Sequence, residues 1–279
     1  MKKRELNKKN YLSEGRRLSN AGRYPGAIVN LTRVISLDRN CFEAYHLRGM
    51  AHFNLGNYEK AIEDLGQAIE IFSGDPKLYN IRGLCFYATK NYGLAAVDFT
   101  NAIALNPTNE DYYIHRGMTC TDLGDYEQAL KDFNKVQELN PNSPVPYYHR
   151  GKLYVEMKDF STALAELDTA LSINKEYLDA RRMRGTIFYL THRYKQAIKE
   201  LNQVLNVDDN DDTAYFYRGL AHYRREHFYW AIDDLTHAAR THSDFVEIFK
   251  YRGMAHEMVG EEEEATADFL TANELDKNS

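Results

Sequence analysis

Apolar and small residues recur along this chain at steps of three and four, broken every dozen or so residues by a short polar turn. Around Gly56, for instance, Tyr45 and Gly49 lead into the turn and Ala61, Leu65 and Ala68 lead away from it. Such spacing is the period of an amphipathic helix with one buried face, so the pattern predicts helices in consecutive pairs. The pairs are copies of one another. Arg-Gly stands at Arg48-Gly49, Arg82-Gly83, Arg116-Gly117, Arg150-Gly151, Arg184-Gly185, Arg218-Gly219 and Arg252-Gly253, 34 residues apart each time, and one further step back reaches Glu14-Gly15. Twelve residues after each glycine is an alanine, from Ala27 to Ala265, and four residues beyond that a leucine or phenylalanine, from Leu31 to Phe269. A glycine and an alanine at such fixed places remove side-chain bulk where two helices cross, offsetting the roughly 1 kcal/mol that glycine costs inside a helix.

With the glycine at position 8, eight units follow without a slip: 8–41, 42–75, 76–109, 110–143, 144–177, 178–211, 212–245 and 246–279. Residues 1–7 remain as an N-terminal extension. Proline tests the frame, because it is tolerated at helix starts and in turns but not in helix interiors. Pro25 opens a second helix, Pro76, Pro144 and Pro146 stand where a first helix begins, and Pro107 and Pro141 fall between units.

The segment from Tyr45 to Ala68, with Arg48-Gly49, Gly56, Tyr58, Ala61, Leu65 and Ala68, resembles a tetratricopeptide repeat (TPR), and the resemblance covers residues 8–279. It implies an all-α fold, an α-solenoid in which eight helix-turn-helix hairpins, helix A then helix B, stack as a right-handed superhelix with the A helices lining the concave wall. Because no single repeat buries its apolar face, one solenoid over 8–279 is expected rather than two domains. In the last repeat Thr266, Asn273 and Glu262 replace apolar or aromatic residues, so its helix B is expected to act as its own polar cap.

One column departs from the family. Position 7, usually apolar, is arginine in seven repeats, and in the same seven position 23 is acidic: Asp64, Asp98, Asp132, Glu166, Glu200, Asp234 and Asp268. The first repeat lacks both, with Glu14 and Asn30. In an antiparallel pair that sets position 8 opposite 24, positions 7 and 23 are within reach of each other, which predicts an arginine–carboxylate ladder. The neighbouring repeat remains an alternative source of the carboxylate. Desolvating either charge alone would cost several kcal/mol, so such pairs set register more than they add stability. Eleven of the 21 tyrosines occupy positions 4 and 17, among them Tyr45, Tyr113, Tyr58 and Tyr92, and are expected to pack between helices.

Composition narrows the function. A hydrophobic fraction of 43% with 27% charged residues and 6 prolines in 279 residues describes a folded chain. No stretch is apolar enough to span a membrane, and Met-Lys-Lys-Arg-Glu-Leu-Asn-Lys-Lys is too polar for a signal peptide, so a cytoplasmic protein without membrane association is expected. A net charge of −6 argues against nucleic-acid binding. Cys41, Cys85 and Cys120 lie too far apart for a Cys-x-x-Cys site. Of the 10 histidines, His115, His149, His52, His222 and His256 have no ligand-spaced partners, and the run Asp208, Asp209, Asp211, Asp212 lacks the glycine and glutamate of a calcium loop. No metal, no cofactor and no catalytic residue are expected, and the protein is not read as an enzyme.

Interaction is left. Outward positions of the A helices, read by the helical wheel, hold Met50, Phe53, Leu84, Tyr87, Ile114, Met118, Tyr148, Val155, Tyr189, Phe216, Leu220, Tyr223 and Met254, interrupted by Lys152 and Arg182. The resemblance places this side on the concave groove. An apolar face with methionine and aromatic anchors suits a partner helix or extended peptide, although packing between A helices competes for these side chains, above all at position 12. The carboxylate clamp of chaperone-binding relatives is absent, since position 9 has no asparagine and neither has position 6. The expected function is therefore a non-catalytic scaffold or adaptor holding a protein or peptide partner in its groove. The alternative is a structural subunit of a larger complex, for example cytoskeletal or ciliary, assembling through its termini or convex face. A basic excess over residues 1–41 and an acidic excess over 212–279 would permit head-to-tail contact.

Overall fold

A computed structural model describes residues 2–278. Among them the chain forms sixteen helices and no strand. They fall into two compact units, one ending at Pro141 and the other beginning at Asn142. The first contains α1 (Lys2–Asn20), α2 (Tyr24–Leu37), α3 (Phe42–Asn54), α4 (Tyr58–Ile71), α5 (Pro76–Ala88), α6 (Tyr92–Leu105), α7 (Glu110–Asp122) and α8 (Tyr126–Leu139). The second contains α9 (Val145–Glu156), α10 (Phe160–Ile173), α11 (Leu178–Leu190), α12 (Tyr194–Leu205), α13 (Asp212–Arg224), α14 (Phe228–Ala238), α15 (Val246–Val259) and α16 (Glu262–Asn278). Each odd-numbered helix packs on the even-numbered one that follows, and within a unit each even-numbered helix packs on the next odd-numbered one. This is an all-α helical-repeat architecture with the spacing that the sequence predicts.

Helix ends are set by local chemistry. Asp75, Asn109 and Asp211 cap A helices by accepting from the backbone N–H of Lys77, Asp111 and Ala214, and Asp125 and Asp159 cap B helices in the same way. The acidic run around Asp211 is thus an inter-repeat turn. At the other end of each A helix, position 15 takes a left-handed conformation. It is glycine at Gly22, Gly56, Gly124 and Gly260, but Lys90, Lys158, His192 and Glu226 elsewhere, with φ near +60°. The chain then closes as at α3, where Gly56 N–H donates to the Phe53 carbonyl and Asn57 N–H to the His52 carbonyl.

The core lies between the paired helices. Gly117 faces Phe133 so closely that a methyl group on it would lie 2.6 Å from the ring, and every position-8 glycine faces its position-24 leucine or phenylalanine in this manner. Ala61, Leu65, Ala68 and Leu78 form one buried cluster of the first unit, and Ala163, Leu167, Ala170 and Ile187 one of the second. At the N-terminus the expected extension is not separate from the first repeat, since residues 2–7 are the opening turns of α1. At the other end Thr266, Asn273 and Glu262 are exposed on α16. Met1 of the extension and Ser279 of the last repeat lie outside the described residues.

Candidate interaction surface

The most regular constellation is built on the Arg-Gly column. In all seven repeats the arginine bonds the acid sixteen residues later in its own hairpin. Arg48–Asp64, Arg82–Asp98, Arg116–Asp132, Arg218–Asp234 and Arg252–Asp268 are paired forks, with Nε and Nη2 each donating to one carboxylate oxygen at 2.5–2.9 Å. Arg150 reaches Glu166 at 2.9 and 3.1 Å, and Arg184 reaches Glu200 through Nη2 alone. The acid of the forks is sealed, with Asp132 only 2% exposed. Its hydrogen bond raises the Arg116 pKa against the opposing effect of burial, while burial raises the Asp234 carboxyl even though Arg218 opposes it.

The neighbouring repeat contributes as well, through an acceptor that the sequence alone did not assign. Nη1 of Arg48, Arg116, Arg184, Arg218 and Arg252 donates to Thr32, Thr100, Asp168, Asn202 and Thr236, all at position 25 of the preceding hairpin. Arg82 meets Gly66 there and has no such acceptor to bond. The position-4 tyrosines lie beneath these guanidinium groups, as Tyr147 does 4.7 Å from Arg150. Position 25 is polar in most repeats, so a third column compared with positions 7 and 23 carries the signal.

The predicted A-helix face is apolar but shallower than a bare helical wheel implies. In the first unit Met50, Phe53, Leu84, Tyr87, Ile114 and Met118 are half-buried on α3, α5 and α7. In the second, Tyr148, Val155, Tyr189, Phe216, Tyr223 and Met254 are half-buried on α9, α11, α13 and α15, and Lys152 is exposed. Leu220 is a correction. It is only 4% exposed and belongs to a core cluster with Leu235 and Ile248. Position 12 is largely engaged by its neighbours: Phe53 and Val155 pack on core clusters, Tyr189 lies 5.6 Å from Tyr217, Tyr223 lies 5.5 Å from Tyr251, and the Tyr87 hydroxyl donates to Asp122 at 2.5 Å. Arg182 is paired with Asp179 and Asp211. The side chains most available on this face are therefore the position-9 residues Met50, Leu84, Met118, Lys152 and Met254.

Two models of the tetratricopeptide repeat match the sequence, one over residues 42–75 and 110–143 and the other over 154–221. The chain is a tetratricopeptide repeat protein. No curated protein matches it. Among solved structures, its TPR fold is similar to that of the APC/C hetero-tetramer Cut9–Hcn1, with a TM-score of 0.69 at 13% identity over 96% of this chain and 53% of that one. The chain thus spans about half the length of that relative. A tetratricopeptide repeat protein from Parabacteroides merdae gives 0.64 at 21% identity, covering 84% and 93% of the two chains. YrrB, a TPR protein with an unusual peptide-binding site, gives 0.57 at 22% identity over 61% and 88%. These likenesses establish the fold. A protein-interaction scaffold is the role that a TPR array supports.

Four of the histidines singled out in the sequence of this TPR array are packed against neighbours. His52 and His222 are buried at position 11, and burial, with Arg218 and His227 nearby, depresses the His222 pKa to about 4. His115 is held against Asn80 and Phe99, and His256 against Glu261. Among the described residues no three His, Cys, Asp or Glu side chains are placed to hold a metal ion. No described helix is long and apolar enough to cross a membrane.

Proposed function

We propose that the protein is a non-catalytic adaptor whose A-helix face binds a partner helix or extended peptide. The observation that carries this reading is the row of partly exposed Met50, Leu84 and Met118 at position 9 of the first unit, on a wall whose other members are half-buried aromatic and aliphatic groups, with Met254 at the same position in the second unit. Unbranched, polarizable side chains accommodate an apolar ligand with little reorganisation. YrrB, which shares the fold, has a peptide-binding site, and the same class of ligand suits this face.

A second reading, a structural subunit that docks through its B helices, draws on Tyr229 and Trp230, which are 67% and 60% exposed on α14. One experiment separates the two. Tagged wild-type protein is used to capture partners for mass spectrometry beside two variants, Met50→Glu/Met118→Glu/Met254→Glu and Tyr229→Ala/Trp230→Ala. The adaptor reading expects the first variant to lose the partner, with helical signal and melting temperature nearly unchanged, since partly exposed side chains are cheap to alter. Loss only in the second variant would favour docking through α14. A large drop in the stability of the methionine variant would show that these side chains are core, and would remove the named site.

A further inference from the structure

A cleft of about 650 Å³ opens in the second unit where α10 faces the end of α11 and the start of α12. Its wall is apolar, with Phe160, Leu164 and Ala165 from α10 and Phe188 from α11. Three polar groups at its edge are already used, the first being the Ser161 hydroxyl, which donates to Asp159 at 2.7 Å. Asp168 is paired with Arg184 at 2.6 Å, and the Thr191 hydroxyl donates to the Ile187 carbonyl at 2.7 Å.

The remaining polar groups are not used, and they are cationic or neutral. Arg193 lies 5.3 Å from the Phe188 ring, and its guanidinium makes no ion pair or hydrogen bond among the described residues; the Gln196 amide makes none either. Lys195 and Lys199 on α12 are exposed and form no ion pair among the described residues. The first turn of α12 contains no acidic residue and its N-cap makes no side-chain bond, so the partial positive charge of the helix start is uncompensated there. A protein of net charge −6 thus places an apolar wall beside unpaired cations. The comparable notch one repeat further on, about 330 Å³ between Ile198 and Trp230, is lined by Asp233 and Asp234 as well as by Arg218 and Arg225 and has no such imbalance.

We propose that this cleft is a second docking site, separate from the A-helix face, for an acidic–apolar peptide segment of a partner protein. A large apolar side chain of the segment rests on Phe160, Leu164 and Phe188, while a flanking aspartate or glutamate accepts hydrogen bonds from the Arg193 guanidinium and the Gln196 amide. Lys195 and Lys199 attract the remaining acidic residues and set the rate of encounter. The free face of Arg193 is already oriented by its stacking on Phe188, so little conformational freedom is lost when a carboxylate binds.

The test is fluorescence polarization with a labelled, N-acetylated and C-amidated peptide, Asp-Glu-Asp-Phe-Leu-Asp-Glu, added to the full chain at low ionic strength. Binding is expected to weaken at least about tenfold in Arg193→Glu, and to fall as salt rises. A peptide with serines in place of Phe-Leu is expected not to bind. Met50→Glu/Met118→Glu/Met254→Glu is expected to bind normally, so a failure of the groove reading leaves this one standing. Circular dichroism of Arg193→Glu checks that the exposed substitution leaves the fold intact, and Arg193→Gln, which removes charge without reversing it, should give an intermediate loss. The proposal is overturned if wild type does not bind at about 1 mM peptide, if the serine peptide binds equally, or if Arg193→Glu binds as wild type does. It is also overturned if the methionine variant abolishes binding, or if the peptide-free protein forms a dimer that Arg193→Glu dissolves.

Discussion

Arg116 shows what one residue does in this protein. Its guanidinium forks onto Asp132, reaches back to Thr100 on the preceding hairpin and lies 5.9 Å from the Tyr113 ring, so a single side chain ties two hairpins together. Removing one member of a buried pair leaves the other charge uncompensated, which costs about 3–5 kcal/mol, whereas replacing both with apolar groups is often close to neutral. Arg116→Leu should therefore destabilise by about 3 kcal/mol, and Arg116→Leu/Asp132→Leu should recover much of that loss in denaturant unfolding. A double variant no more stable than the single one would show that the pair is not the coupled unit its geometry describes. Sequence made the pairing legible because positions 7 and 23 vary together, including their joint loss at Glu14 and Asn30. Thr100 was not legible in that comparison, because its own column varies between hydroxyl, amide, carboxylate, glycine and leucine, and only its polar members share the ability to accept a hydrogen bond.

At the scale of the element, the glycine and alanine columns located where paired helices cross and the prolines located the starts of α2, α5 and α9, because small size and a fixed φ act at a single position. The A-helix face was less legible. A helical wheel gives the direction of a side chain but not whether a neighbouring helix brings a ring against it, and this is why Leu220 is core and Tyr189 and Tyr223 are partly covered by Tyr217 and Tyr251. The turn between helices A and B supplies a prediction of its own. Position 15 is left-handed in every repeat, yet in the turn after α5 the role falls to Lys90, with φ of +60°. A side chain there costs about 1–2 kcal/mol, part of which glycine gives back through the greater freedom of its unfolded chain. Lys90→Gly should thus stabilise by about 0.5–1 kcal/mol, and Gly124→Ala should destabilise by a similar amount. Denaturation midpoints at unchanged slope measure both, and a lower midpoint for Lys90→Gly would refute the account.

For the whole molecule, the question is whether one copy can extend another. Within each unit, hairpins are joined by an arginine at position 7, an acid at position 23 and, at five of the six junctions, an acceptor at position 25 of the hairpin before. Both terminal helices lack this set. On α1 the corresponding residue is Glu14, taken up by Arg17, and on α16 position 25 is Leu270, 59% exposed. Of the basic N-terminal segment, Lys8 pairs with Asp38, Arg16 with Glu43 and Arg17 with Glu14, whereas Lys3, Lys9, Arg23, Arg33 and Arg39 form no ion pair among the described residues. A second copy stacked with its α1 on α16 would set Glu14 against Leu270 in place of an arginine against its acceptor, so charge asymmetry along the sequence does not by itself rebuild the internal junction. The protein should sediment as a monomer at both low and high ionic strength. Association at low salt that disappears as the Debye length shortens to about 10 Å near 0.1 M would overturn this and restore the head-to-tail alternative. The converse is equally specific: Glu14→Arg, Asn30→Asp and Leu270→Thr together rebuild the internal junction across two copies, and that variant should sediment faster than wild type with a dependence on concentration.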